Sequence, residues 1–598
     1  MGAVASETTV ECRTDQKTLW RSITDTERLN RAAGMGPISL RPLSDGSAAR
    51  FLARTTISGF VVEFEERPFE WIFPEAFRVL RKARSGASTL IEMSFRLTPT
   101  AAGGTRVEVR VASTPRYAIL SPVIKLLTWR NVRALAAAVR QVDQDLAGGG
   151  EGHPRLPARS VHEDSLARAE RVMLALGPDP IVPRLVRFVR EADDIDVKRI
   201  RPFALADAWG EERRAVLASC LAAVRAGLLE LTWTVICPSC QTAVETLPTL
   251  AQLADHSTCQ LCEIRFAVDL DAAVEAMFTP APAIRTIAVG PYCIGGPALT
   301  PHVLTQAILP PRGEARLVCP GDYGVYRVFL RGGAYTSLTV APSGPTEIRA
   351  MAAALDAQRP LTAAPGAVLT LENTSTDELH AKIERTTVAD QAATARAVFT
   401  LPEFRRDFSE DILRPGLALK VKRVGLFFSD LTGSTQLYSD AGDAAAFKLV
   451  QDHFDVVVAL IEKHRGALIK TIGDAVMAVF DDELDGLIAA VAILHAFEDF
   501  RGASAERQRT HIKLGVYGGS CYAVTANGVL DYFGQTVNIA ARLQGEAKSG
   551  ELVVPADLAA RAVAVGALPE AFIRARYEAR LKGVAEPIAA ARVALPRA

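Results

Sequence analysis

The polar and apolar positions of this chain change rhythm several times along its length. Up to about residue 148 they alternate with period two. Ile91, Met93, Phe95 and Leu97 share one face, and Val107, Val109 and Val111 alternate with Arg106, Glu108 and Arg110. Such alternation predicts half-buried strands. Arg116 to Leu146, directly after Pro115, then predicts a long, mostly apolar helical region. Ala167 to Leu176, Ile181 to Ala192 and Glu211 to Gly227 carry apolar residues at i, i+3, i+4 spacing and predict helices. Short β-like runs follow, Ala315 to Val318, Gly324 to Leu330 and Ala367 to Glu372, separated by Gly/Pro turns; they predict a small β-sandwich. Arg423 to Asp430 is a strand-like run. Phe447, Val450, Phe454, Val457 and Ile461 step by 3, 4, 3, 4 and predict a helix. Within Gly466 to Phe480, two apolar strands flank Gly473-Asp474, which predicts a tight hairpin.

Punctuation divides these stretches. Gly148 to His153 reads as a linker, Pro280 to Pro282 marks a second boundary, and the charged, Pro-containing Leu401 to Leu419 marks a third. The expected architecture is multidomain α+β: a first domain over 1–150, a helical region with a cysteine-rich segment over 155–280, a β-rich domain over 284–395, a linker over 396–419 and a last domain over 420–598. A length of 598 residues agrees with about four domains.

Charge and composition remove several classes of function. Lys+Arg 68 against Asp+Glu 68 argues against a surface built wholly for nucleic acid or acidic membranes. The longest apolar stretches, such as Tyr117 to Trp129, are interrupted by Ser, Pro and Lys and are too short to span a bilayer. Met1 to Thr9 lacks the basic start and apolar run of a signal peptide, so a cytoplasmic protein is expected.

Four of the nine cysteines form two pairs, Cys237-Pro-Ser-Cys240 and Cys259-Gln-Leu-Cys262, with eighteen residues between them. Two such knuckles can present four thiolates tetrahedrally to one zinc ion, as in a zinc ribbon. His256 lies close enough to substitute, but four cysteines already close the shell. The intervening segment has two acidic residues and no Lys or Arg, so structural zinc is expected over nucleic-acid binding. Cys12, Cys220, Cys293, Cys319 and Cys521 are scattered and are expected to be buried as small hydrophobes.

The first block, strands closed by a long helix with Leu19 to Asn30 (LWRSITDTERLN) near its start, resembles the helix-grip fold of START and polyketide-cyclase-like domains. That resemblance implies a cavity for a small apolar ligand. The competing reading is a packed core.

Chemistry concentrates after Lys420. The strand-like Val424 to Ser429 ends in Asp430-Leu431-Thr432-Gly433-Ser434-Thr435, an acidic strand end beside a turn whose N–H groups can cradle phosphate. Asp474 would sit at the hairpin tip, within reach of Asp430 if the strands are neighbours. Two such carboxylates can hold one or two Mg²⁺ ions. Asp531 to Leu543 (DYFGQTVNIAARL) then places Asn538 and Arg542 at i, i+4 on one face of a helix predicted over Thr536 to Ala547.

These three segments in order resemble the catalytic domain of class III adenylate and guanylate cyclases, over all of about 420–595. The resemblance implies a ferredoxin-like βαββαβ core with a C-terminal arm. It also implies a role for each matching residue. Asp430 and Asp474 would bind two Mg²⁺ or Mn²⁺ ions per site. Lys470 and Asp531 would recognise adenine, where guanylate cyclases usually carry Glu and Cys. Asn538 would position the ribose, Arg542 would stabilise the α-phosphate, and Lys582 would bind the terminal phosphates. Thr432, Gly433, Ser434 and Thr435 would line the phosphate cradle. Family sites form between two catalytic domains, and this chain has one domain with the whole set, which implies a homodimer with shared sites. The cysteine-rich and β-rich blocks resemble a region of unassigned function that precedes the catalytic domain in some bacterial cyclases. The expected function is an adenylate cyclase making 3′,5′-cyclic AMP for intracellular signalling. The alternatives are a guanylate cyclase, a nucleotide-binding regulatory protein without turnover, or a zinc-ribbon nucleic-acid binder.

Overall fold

The computed structural model describes residues 2–32, 34–43, 51–57, 60–150, 152, 161–287, 295–386, 391–432 and 442–596. In the C-terminal unit, alternation along Leu419–Thr432 decides the layering. Phe427 and Leu431 face two helices, Asp443–Lys463 and Glu483–Gly502, together with Val476, Ala478 and Phe480. Leu426 and Phe428 face the other way with Met477 and Val479. Side chains on successive strand residues point to opposite faces, so one strand lines both layers.

Four strands, Leu419–Thr432, Gly466–Ile472, Ala475–Phe480 and His511–Ala526, make the centre of this sheet. Numbered in chain order, they lie 2-3-1-4, the order of a βαββαβ unit. Glu551–Pro555 adds in parallel to His511–Ala526, and Ile588–Ala594 and Ile573–Ala579 extend the sheet beyond it. The expected apolar stripe on Asp443–Lys463 is only partly buried: Val457 and Ile461 are in the core, while Phe447 is 60% exposed.

In the N-terminal unit the helix Ser121–Ala147 packs against the paired strands Val4–Cys12 and Thr105–Pro115. The space between helix and sheet holds Trp20, Phe77, Phe95, Val107, Val132 and Val139, where the family resemblance would put an apolar ligand. A cavity of about 780 Å³ beside the same sheet is lined by charged groups instead, among them Glu7, Arg78, Glu92, Arg96 and Arg110.

The three helices expected in the cysteine-rich block occur at Glu163–Ala175, Val182–Glu191 and Arg213–Arg225. The β-rich block divides into a three-stranded sheet and a second group of strands that does not stand alone. Thr305 pairs with Ile72, so that group continues the N-terminal sheet into one of 13 strands. An edge strand with free N–H and C=O groups is a template for such pairing.

Residues 396–419, expected as a linker, form a packed wedge. Two short helices, Ala395–Phe399 and Pro402–Asp407, stack Phe399, Phe404 and Phe408 beside the fully buried Trp233. Asp411 accepts from Trp233 Nε1 at 2.7 Å and from the Leu250 amide at 2.8 Å. Aromatic rings buried on this scale stabilise by about 1.5–3 kcal/mol each. The segment therefore joins its neighbours rather than spacing them. No described helix is long and apolar enough to cross a membrane.

Candidate active site

The strand Leu419–Thr432 delivers Asp430 opposite Lys513 on the neighbouring strand. The hairpin delivers Asp474: Ile472 pairs with Ala475, leaving Gly473 and Asp474 as the two turn residues. Gly473 takes φ +65°, the region a two-residue hairpin turn requires at its first central position and where a side chain is strained. The two carboxylates are close enough to interact. Burial first, and then the like charge of Asp474, push the Asp430 carboxyl above its usual range, while Lys513 and a hydrogen bond from Gln544 oppose the shift. A carboxyl raised by burial and by a second carboxylate beside it belongs to a donor set suited to a divalent cation, which relieves both burial and repulsion.

His453 and Gln544 complete this corner and were not singled out in the sequence. His453 is buried and donates from Nδ1 to the Val450 carbonyl at 2.7 Å. Burial holds its pKa down at about 4, with Asp474 pulling the other way. The helix Gln535–Glu546 approaches the sheet at Gly515, where a Cβ would stand 2.4 Å from the Gln544 backbone nitrogen. That contact requires glycine and sets Gln544 beside Asp430. Its only sequence signal is a position two residues after Arg542.

The other expected residues fall in two further places, a Lys470–Asp531 pair and the helix Gln535–Glu546. Lys470 Nζ lies 2.5 Å from Asp531 Oδ2, with Asp531 buried and Lys470 partly exposed. The segment below them is fixed by the wedge. Arg405 donates to the Leu530 carbonyl at 2.9 Å and lies over the ring of Tyr532, whose phenol burial pushes up to about 12. On Gln535–Glu546, Thr536, Ile539, Ala540 and Leu543 are buried, and Asn538 is on the exposed side. The Arg542 guanidinium comes within 3.3 Å of where a Cβ on Gly583 would lie. The exposed Lys582 therefore neighbours Arg542. Thr432 is described and its hydroxyl reaches the His511 carbonyl at 3.1 Å; Gly433, Ser434 and Thr435 lie outside the described residues.

The four cysteines of the two knuckles also converge. All are buried, and their sulfurs lie within 4.8 Å of one another. Cys240 and Cys259 sulfurs stand 3.7 Å apart, close to the ~3.8 Å edge of a tetrahedron with ~2.3 Å metal–sulfur bonds. Hydrogen bonds among the cysteines, Cys237 first, hold the Cys240 and Cys262 thiols below the ordinary value, Cys262 at about 6, while the Cys237 and Cys259 thiols are pushed up within the same cluster. His256 stays outside, exposed and paired with Asp255. Cys12, Cys220, Cys319 and Cys521 are buried singly, and Cys293 lies outside the described residues.

Comparison with known proteins fits this layout. Residues 418–585 match the model of the adenylate and guanylate cyclase catalytic domain, and residues 171–292 match a family of unknown function, DUF5939. Residues 418–585 are thus a class III adenylate/guanylate cyclase catalytic domain. Similar relatives include the receptor-type guanylate cyclase gcy-13 of Caenorhabditis elegans, 28% identical over 145 residues, covering 22% of this chain and 14% of that one. Another is the uncharacterized protein Rv1319c of Mycobacterium tuberculosis, 34% identical over 143 residues, covering 23% and 26%. The chain therefore spans only 14% and 26% of the length of these two relatives. Among solved structures, the adenylyl cyclase CyaB from P. aeruginosa aligns at 21% identity over 30% of this chain and 97% of that one, with a TM-score of 0.26. The guanylate cyclase domain of RhGC from Catenaria anguillulae in complex with GTP aligns at 19% identity over 30% and 99%, TM-score 0.26.

Proposed function

We propose that this chain is an adenylate cyclase, forming 3′,5′-cyclic AMP and pyrophosphate from ATP in intracellular signalling. The Lys470–Asp531 pair carries the choice of base. An ammonium donates to adenine N1, and a carboxylate accepts from the 6-amino group; guanine offers an N1–H and a carbonyl at those places and would meet donor with donor. Asn538 orients the ribose so that its 3′-oxygen lines up with the α-phosphorus. The O3′–P bond forms as the bond to pyrophosphate breaks, and the hydroxyl proton is lost. Arg542 supplies positive charge where the α-phosphoryl oxygens gain negative charge, a role worth ~10³-fold or more in phosphoryl transfer. Lys582 receives the departing phosphates, with Thr432, Gly433, Ser434 and Thr435 assigned to hold them. Mg²⁺ or Mn²⁺ held by Asp430 and Asp474 would acidify the 3′-hydroxyl and neutralise the triphosphate.

The active assembly in this reading is a head-to-tail homodimer. One copy supplies Asp430 and Asp474, and the other supplies Lys470, Asp531, Asn538, Arg542 and Lys582. Exposed apolar residues support it. Tyr522 and Phe533 face each other across two strands at 46% and 70% exposure, and Ile472 beside the hairpin tip is 52% exposed. A second copy would cover them. We read the four-cysteine cluster as a structural Zn²⁺ site, and the units before residue 420 as controlling how two catalytic domains meet. The middle unit supports this by gripping the start of the catalytic sheet: the Lys422 amide donates to Asp271 at 2.6 Å.

Turnover of the purified chain with ATP and with GTP, in Mg²⁺ or Mn²⁺, tests the reading. Cyclic AMP that disappears in Asp430→Ala is expected. Faster turnover of GTP would overturn the choice of base, and ATP binding without any turnover would overturn the enzyme.

A further inference from the structure

The four-cysteine cluster is not closed by its own segment alone. Lys382, on the strand Leu379–Glu384 of the β-rich unit, is 4% exposed and points its ammonium at the knuckles. Its Nζ lies 3.0 Å from Ser239 Oγ, inside the first knuckle, and 3.9 Å from Cys262 Sγ, inside the second. The third group around it is Glu384 Oε2 at 2.8 Å. The ammonium thus donates to Ser239 Oγ and Cys262 Sγ and is paired in charge with Glu384. The sulfur is a good acceptor when it is a thiolate.

The same unit grips both knuckles at other points. The His302 Nε2 lies 2.7 Å from the Ser239 carbonyl, and the Gly332 amide donates to the Cys262 carbonyl at 2.9 Å. Arg331 Nε donates to the Leu261 carbonyl, also at 2.9 Å. Glu384 is fully buried, and Arg327 donates to its other oxygen at 2.6 Å. A Zn²⁺ ion with four thiolates carries a net charge of 2 − 4 = −2, which is costly in a buried site. A cation held within hydrogen-bonding reach of the sulfur offsets part of that charge.

We propose that Zn²⁺ in the Cys237/Cys240/Cys259/Cys262 site locks the cysteine-rich unit to the β-rich unit, with Lys382 as the counter-cation that the second unit supplies. This rests on the zinc reading above and goes beyond it: the ion is a joint between two units, and losing it frees both.

The test uses the full chain. Zinc content is measured first, then amide hydrogen exchange with and without zinc removal by excess chelator. About one zinc per chain is expected. On removal, exchange should rise at least tenfold in 379–384 and 324–330 as well as in 237–262. A chain purified without zinc overturns the zinc reading. Bound zinc whose removal loosens only 237–267 leaves that reading standing and overturns the lock. The double substitution Lys382→Met with Glu384→Gln removes both charges together, so neither is stranded. Chelator competition should show its zinc affinity weakened ~10-fold or more; unchanged affinity overturns the role of Lys382.

Discussion

At the scale of single residues, Asp430, a proposed metal-binding carboxylate, is kept at a cost to folding. Its raised pKa means that folding disfavours the ionised carboxylate relative to the unfolded chain. The penalty is absent below the ordinary carboxylate value near 3.9, grows as pH rises through the window between that value and the raised one, and is complete above the raised one. Asp430→Asn removes it. The metal-free variant should melt ~1–3 °C higher than the parent at pH 7, with no gain at pH 3. Cyclic nucleotide formation should fall by about 10³-fold, and added Mg²⁺ should raise the melting temperature of the parent but not of the variant. A variant that melts lower than the parent at pH 7 would show that Asp430 is held by partners, not repelled by Asp474.

Among the elements, the wedge over 395–408 is the one with a chemical consequence. Arg405 bonds to the Leu530 carbonyl and covers Tyr532, the two neighbours of Asp531. Arg405→Ala should let that strand shift, raising KM for ATP about tenfold with kcat changed less than twofold and with helix content intact by circular dichroism. An unchanged KM would show that the pairing of Leu530 with Thr525 holds Asp531 unaided. Nothing in the sequence marks this role. The motifs of the candidate site were legible because each is local: an acidic strand end at Asp430, a two-residue turn at Gly473-Asp474, a helical i, i+4 pair at Asn538 and Arg542. Arg405, Lys513, Gln544 and Lys382 matter through contacts between segments far apart in the chain, which local periodicity does not encode. For the same reason 396–419 read as a linker. Its charges and prolines suggested an exposed connection, whereas Phe399, Phe404 and Phe408 had a buried partner, Trp233, more than 160 residues away. The strand pairing of Thr305 with Ile72 escaped notice likewise, since register across 230 residues is set by tertiary packing.

For the whole molecule, the decisive question is whether the proposed catalytic residues meet within one chain or across two. Asp430 interacts with Asp474, Lys513 and Gln544, while Lys470 pairs with Asp531. The exposed Tyr522, Phe533 and Ile472 lie on or beside the strands that carry Lys470, Asp531 and the hairpin tip. If two copies pack head to tail over that surface, each site takes its carboxylates from one chain and Asn538 from the other. Asp474→Ala and Asn538→Ala should then each be inactive alone. In a mixed dimer one site carries both lesions and the other carries neither. With equal amounts mixed at random, half the dimers are mixed and each has one of two sites intact, so activity should return to about a quarter of the parent level. A site built within one chain predicts no recovery at any ratio. The two outcomes are separated by one mixing experiment, with the mixed dimer shown by differential tagging, and no recovery from it would end the shared-site reading while leaving the assignment of the catalytic domain untouched.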